Sequence, residues 1–277
     1  MFSAARNIFK AWLLLGGFVV AFSALGWWLG GLRLASVFFV VCLLMAATVF
    51  WYGPRIVLAS LGARELTFAE ATLLHTTVER LAARAGVGRP RLYVLPSGHP
   101  HALSVGRGVS SASVGLSRGL TAALPPAELE GVIAHELAKI KQRDVVVQTP
   151  VVLLAGWLVE ASRIGGWLQR ALLFVLAPVA ASLVQILLSP RREFAADLRA
   201  AGICESPHGL ADALIRLEQV NELVEFSASP VTEPLYTVNP FEPVGLAAMF
   251  STHPPIGERV ARLRALDAEW RERLRAA

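Results

Sequence analysis

The chain has 277 residues, 55% hydrophobic and 17% charged, with 26 Lys and Arg against 21 Asp and Glu for a net charge of +5. So apolar a chain has ample surface to bury against its ordering entropy, which excludes intrinsic disorder, and its mean hydropathy of +0.53 points to a membrane protein. Its two cysteines, Cys42 inside an apolar run and Cys204, exclude a disulfide scaffold, and without a basic stripe interleaved with aromatics no nucleic acid partner is expected.

Residues 11–32 carry no charge, and neither do residues 34–54. Crossing a hydrocarbon core of about 30 Å takes about 20 apolar residues, so each run can span a lipid bilayer. Gly30-Gly31-Leu32-Arg33 between them reads as the tight turn of a hairpin. Two adjacent spans of this length do not fit a cleavable signal peptide. Arg6 and Lys10 precede the first run, and Arg55 and Arg64 follow the second, against a lone Arg33 in the turn. The positive-inside rule then puts the N-terminus and the bulk of the chain in the cytoplasm, anchored in the cell (inner or plasma) membrane. Trp27, Trp28, Trp51 and Tyr52 fall where interfacial anchors belong.

A soluble stretch follows. Thr67-Phe-Ala-Glu70 has the form of a capping box opening an amphipathic helix that ends near Gly86. Residues 91–95, 101–105 and 111–115 read as strands, and Pro125-Pro126 sets the first turn of a helix running through Ile140. Residues 145–159 and 171–190 form a second apolar pair, read as a hairpin entering or crossing the bilayer, with buried or interfacial helices as the alternative. Helices are expected over 193–201, stopped by Gly202, over 209–222, and from Ile256 onward, with a proline-bearing loop over 227–242. The expected fold is α+β: a polytopic membrane protein whose mainly helical soluble domain carries a small β-sheet. It divides into an N-terminal hairpin (1–55), a first half-domain (56–144), the second apolar pair (145–190) and a second half-domain (191–277). His75, mid-helix, and His208, near a helix start, read as surface or capping residues.

The chemistry concentrates in the helix that contains His135-Glu136-Leu-Ala-Lys139. In a zinc protease helix, histidines at i and i+4 share a face and bind the metal, while the glutamate after the first polarises the bound water. Here the second ligand position holds Lys139, so the strict motif fails. After the second apolar pair, Arg192-Glu193-Phe-Ala-Ala-Asp197 places two carboxylates one turn apart, one able to reach a metal while the other orients a ligand imidazole. Near the C-terminus stands Ser251-Thr-His253-Pro-Pro, followed by Arg259.

In this order around two apolar pairs, the pieces resemble the HtpX-like membrane zinc metalloproteases over nearly the whole chain. The resemblance implies a zincin-like domain, Zn2+ as cofactor, and protein substrates, either membrane or misfolded, cleaved on the cytoplasmic side. It makes His135 and Glu193 metal ligands, Glu136 the general base and Asp197 a residue behind the ligands, with Lys139 where the second histidine belongs. Residues His101, Ala102, Leu103 and Ser104 resemble the family's substrate-binding edge strand, with His101 in place of the usual asparagine. A lysine there repels a dication unless it gives up a proton held at a pKa of about 10.4, so hydrolysis by the chain as written is expected to be severely impaired. Three accounts follow: a changed residue in an otherwise intact protease, a pseudoprotease that binds clients without cutting, or a substitute imidazole, with His101 and His253 as the candidates.

Overall fold

The computed structural model describes residues 2–161, 169–221, 229–239 and 249–276. Its first helical run, α1 (Phe2–Ser60), breaks at Gly30–Gly31. Gly31 takes φ 64° and ψ −156°, a region open essentially to glycine alone. The chain doubles back there: a Cβ on Gly26 would stand 2.9 Å from the Leu34 carbonyl oxygen, and the Trp12 ring stacks on Phe50 with centroids 5.5 Å apart. Arms 2–29 and 32–60 therefore run antiparallel, as the glycine pair in the sequence implies. Among the described residues, α1 is the one helix long and apolar enough to cross a membrane. Many of its apolar side chains are exposed; Trp28 is 80% exposed and Val20 68%.

Past α1, Glu70 accepts hydrogen bonds from Thr67 N (3.0 Å) and Thr67 Oγ1 (2.7 Å), but its own N–H goes to the Thr67 carbonyl (3.2 Å), so only half of the capping box forms. These bonds close a turn; helix α2 (Thr72–Ala85) begins only after Ala71. It ends as expected on Gly86, whose left-handed φ of 64° lets its N–H reach the last carbonyls. His75 is not a surface residue: it is buried, with Nε2 2.9 Å from the Leu66 carbonyl oxygen and Nδ1 3.3 Å from Arg89.

Four strands form one sheet in the order β1-β2-β4-β3: β1 (Arg64–Glu65), β2 (Arg91–Leu95), β3 (Ala102–Gly106) and β4 (Ala112–Ser117). β2 runs parallel to β4, and β3 antiparallel to it with Leu103 opposite Gly115. Alternation sorts the faces. Leu92, Val114 and Leu116 turn toward the main core, whereas Leu95, Leu103 and Val105 pack on Val57 and Leu58 of the second arm of α1 and on Val152. β3 lies at the sheet's edge, and its Ser104 faces the helical side.

Short α3 (Arg118–Ala123), N-capped by Ser117, leads into α4 (Pro126–Lys141), which opens on Pro126 in its first turn. α4 is the central element, packed on α2, on β3 and on two later helices, α7 (Arg191–Cys204) and α8 (His208–Asn221). Glycine makes the α8 crossing possible: a Cβ on Gly131 would collide with the backbone of Gly209 and Leu210. Helix α7 passes through Gly202, the expected stop, and ends at Glu205, which takes φ 57°.

The second apolar pair forms α5 (Asp144–Ala161) and α6 (Gln169–Leu187), which pack on each other, with α5 also against α1. Asn7 donates to the Gln142 carbonyl (3.0 Å) and to the Asp144 carboxylate, and Lys10 donates to the Leu187 carbonyl (3.0 Å). The start of α1 is thus tied to the start of α5 and the end of α6. Within the expected loop, Pro230–Leu235 forms a 3₁₀ helix; residues 227–228 and 240–242 lie outside the described residues. The chain's last helix, α9 (Ile256–Ala276), starts where the sequence places it.

Candidate active site

His135 and Lys139 share a face of α4, one turn apart, with Glu136 beside them. All three are fully buried because α7, α8 and the sheet close around the helix. Glu193 and Asp197, one turn apart on α7, meet the His135 ring from its two nitrogens. Nε2 stands 3.2 Å from Glu193 Oε2, and Nδ1 stands 2.9 Å from Asp197 Oδ1. Segments 58 residues apart in sequence are thereby brought face to face.

Arg259 of α9 fixes this pair from behind. Its Nε donates to Asp197 Oδ2 (2.8 Å) and its Nη2 to Asp197 Oδ1 (2.7 Å), while Nη1 donates to the Thr237 carbonyl (2.6 Å). The planar guanidinium fork suits a carboxylate in two-bond geometry. On the other side, Glu136 accepts from Ser104 Oγ (2.6 Å) and Thr237 Oγ1 (2.7 Å). The Lys139 ammonium lies 3.5 Å from Glu136 Oε2 and donates to the Leu235 carbonyl (3.1 Å).

Burial alone would push each of these carboxyls up and the imidazole down, yet all three shift the other way. The Lys139 charge and the bond from His135 hold Glu193 well below the usual carboxylate range, against its burial. Arg259 does the same for Asp197, by charge and then by hydrogen bond. For His135, the bonds to Asp197 and then Glu193 outweigh desolvation and hold the ring above its ordinary value. Each buried carboxyl thus has a basic side chain close by: Lys139 3.5 Å from Glu136, His135 3.2 Å and Arg192 3.8 Å from Glu193, and Arg259 2.7 Å from Asp197.

Zinc does not fit this donor set. Two ligands of a tetrahedral ion, each about 2.0–2.2 Å from it, lie about 3.3 Å apart. His135 and Glu193 have that spacing, with 3.2 Å between Nε2 and Oε2. The third position, however, is Lys139, whose Nζ is committed to the Leu235 carbonyl and Glu136 rather than offered to an ion. Among the described residues no group of three His, Cys, Asp or Glu side chains is placed to hold a metal ion. The candidate substitute imidazoles are engaged elsewhere. His253 Nδ1 lies 2.7 Å from Glu233 Oε1 and its Nε2 2.8 Å from the Tyr236 carbonyl oxygen. His101 Nδ1 lies 2.9 Å from the His99 carbonyl oxygen, and burial pushes the His101 imidazole down to about 4.

The expected edge strand is an edge, but its outer side is covered near the site. Leu103 forms an antiparallel bridge with Tyr236, and Thr237 N donates to the Ala102 carbonyl (3.2 Å). Glu233 secures this strap by accepting from Thr252 N and Thr252 Oγ1, both at 2.9 Å. Sequence reading missed Arg259, Thr237 and Glu233 as members of the constellation. Arg259 follows His253 within one motif, which is a faint signal; the proline-bearing stretch around Thr237 offers none.

Residues 69–267 match peptidase family M48. Among similar proteins are three named Protease HtpX homolog. The one from Salinibacter ruber is 39% identical over 267 residues, covering 93% of this chain and 97% of that protein. The one from Pelotomaculum thermopropionicum is 35% identical over 278 residues (94% and 99%), and that from Pyrococcus abyssi 37% over 262 residues (88% and 91%). A solved structure, S. mikatae Ste24p, aligns with a TM-score of 0.49 and 19% identity, covering 95% of this chain and 66% of that one. The family match spans the helices that bring His135, Glu136 and Glu193 together, and the HtpX homologues match almost end to end: this chain belongs to peptidase family M48.

Proposed function

We propose that this protein is a membrane-embedded metalloendopeptidase by lineage in which the ammonium of Lys139 takes the place of the metal. It keeps a polypeptide-binding cleft and is disabled for metal-dependent cleavage. The observation that carries this reading is the buried Lys139 ammonium, 3.5 Å from Glu136 and bonded to the Leu235 carbonyl. A positive charge is what the surrounding carboxylates need, and lysine supplies it without a site for water activation. Glu136 then has no metal-bound water to deprotonate and serves as an acceptor for Ser104, Thr237 and Lys139.

In this reading the two arms of α1 cross the bilayer, α5 and α6 form a second pair in it, and the cleft faces the cytoplasm of a multi-pass protein in the inner or plasma membrane. The uncovered apolar side chains of α1 and the flanking Arg6, Lys10 and Arg55 support that placement. Clients are membrane or unfolded proteins, added as a strand along residues 102–104 of β3. The Leu103–Tyr236 bridge favours this mode, because it shows that the edge accepts an antiparallel segment, and a client displaces that strap to bind.

The test is cleavage of casein by the full-length protein and by Lys139→His. Imidazole at position 139 restores a third donor, so proteolysis is expected in the variant with added zinc and not in the parent chain. Zinc-dependent cleavage by the parent chain would refute the disabled reading. Absence of cleavage by both, with both folded, would refute the view that Lys139 alone separates this chain from an active enzyme.

A further inference from the structure

A polar cavity of about 440 Å³ lies away from the His135 cluster, between the C-terminal end of the second arm of α1 and the outer face of the sheet. Four arginines line it: Arg55 from the arm, Arg89 before β2, Arg91 on β2 and Arg107 after β3. Ser111 and Ser113 add hydroxyls, and no Asp or Glu contributes to the lining. Arg89 is already engaged, 3.5 Å from Glu79, 3.3 Å from His75 Nδ1 and 5.7 Å over the Phe68 ring. Among the described residues Arg55, Arg91 and Arg107 make no ion pair. Register sets part of this geometry, since Arg91 pairs opposite Ser113 across β2 and β4.

Arg55, Arg91 and Arg107, without an ion pair among the described residues, give the concavity a positive potential that favours an anion. A cavity of this size suits a small ligand. Guanidinium forks and hydroxyls together are phosphate chemistry. Location selects the source of the phosphate. Trp51 and Tyr52 stand at the cavity, 59% and 54% exposed, where the uncharged run of the arm ends, and the Arg107 guanidinium lies 4.5 Å over the Trp51 ring. Exposed aromatics at the end of a span mark headgroup depth. We infer that this cavity binds the phosphate of an anionic phospholipid, with the acyl chains running back along α1. The inference rests on α1 crossing the bilayer, not on the role of Lys139.

The test is native mass spectrometry of the full-length protein in mixed micelles, counting retained phosphatidylglycerol against phosphatidylcholine. Phosphatidylglycerol is expected to be retained selectively, and R91Q/R107Q to weaken retention by about tenfold or more, two near-surface cations being lost. S111E, which keeps every arginine but adds a carboxylate among them, is expected to do the same and covers the case in which the double variant does not fold. R118Q/R199Q, an equal charge loss at exposed arginines elsewhere, is expected to retain the lipid. Equal loss in R118Q/R199Q would show diffuse attraction and overturn the site. Displacement of phosphatidylglycerol by an equal concentration of glycerol 3-phosphate would assign the cavity to a free phosphate and overturn the lipid. Whether α1 crosses the bilayer is read separately, by labelling cysteines placed at position 31 and in the soluble domain from either side of sealed vesicles.

Discussion

Arg259 is fully buried, and its charge is answered by Asp197 alone among the carboxylates it bonds. Breaking a buried pair from one side costs about 3–5 kcal/mol, because the other charge is left without a partner. Arg259→Met is therefore expected to lower stability by about that amount in detergent-solubilised protein, with Arg259→Lys intermediate; chemical denaturation would measure both. The pH dependence follows from the shifts around it. Glu193 and Asp197 have lowered folded values, so their contribution is present above the ordinary carboxylate range of about 4 and is lost as pH falls through the folded values. His135 has a raised folded value, so its contribution is full below about 6.5 and is lost as pH rises through that value. Apparent melting temperature should peak between about pH 5 and 6.5, and His135→Gln should flatten the alkaline limb. A melting temperature that kept rising past pH 8 would contradict the assignment. At this scale the spacing within each helix was legible, and the meeting of His135 with Glu193 and Asp197 was expected from the family resemblance rather than from spacing. The Ser104 and Thr237 bonds to Glu136 were not, since a hydroxyl's partner depends on tertiary placement that no local pattern encodes.

Among the elements, those with strong periodicity or firm punctuation were readable. The strand predicted over 91–95 matches β2 residue for residue, and the helix opened by Pro125-Pro126 is α4. Others were misplaced for physical reasons. The Thr67–Glu70 pair makes only the glutamate half of a capping box and closes a turn, because the Glu70 N–H bonds the Thr67 carbonyl instead of the hydroxyl. Gly202 did not stop α7, a glycine costing a helix interior only about 1 kcal/mol. β1, two residues long, exists only through pairing with β2. Two glycines test the packing of elements in different ways. Gly131→Ala drives a methyl into the α8 backbone and should cost about 1–3 kcal/mol, visible as a drop in melting temperature. Gly31→Ala meets no neighbour within 4 Å, so any loss there reports backbone strain at the hairpin turn alone, about 1–3 kcal/mol.

For the molecule as a whole, one fold serves two solvents. Apolar arms with one side packed on α5 and the sheet and the other side exposed are joined to a domain whose apolar core encloses a charged cluster, and Asn7 and Lys10 tie the two together at the ends of α5 and α6. If both arms cross, as proposed, the hairpin returns the chain to the side on which it entered. A reporter fused after Ala277 should accordingly be cytoplasmic, and an external signal would contradict the orientation. The apolar runs, their turn and their basic flanks were plain in the sequence; the strap over β3 was not, because its pairing joins segments 135 residues apart without a compositional signal. The account as a whole depends on an ammonium standing where the family's second histidine would bind a metal, and metal content tests that most directly. Elemental analysis of the purified full-length chain, incubated with zinc and desalted, should find well under one zinc per chain, and Lys139→His should hold about one. One tightly held zinc in the chain as it stands would contradict the account.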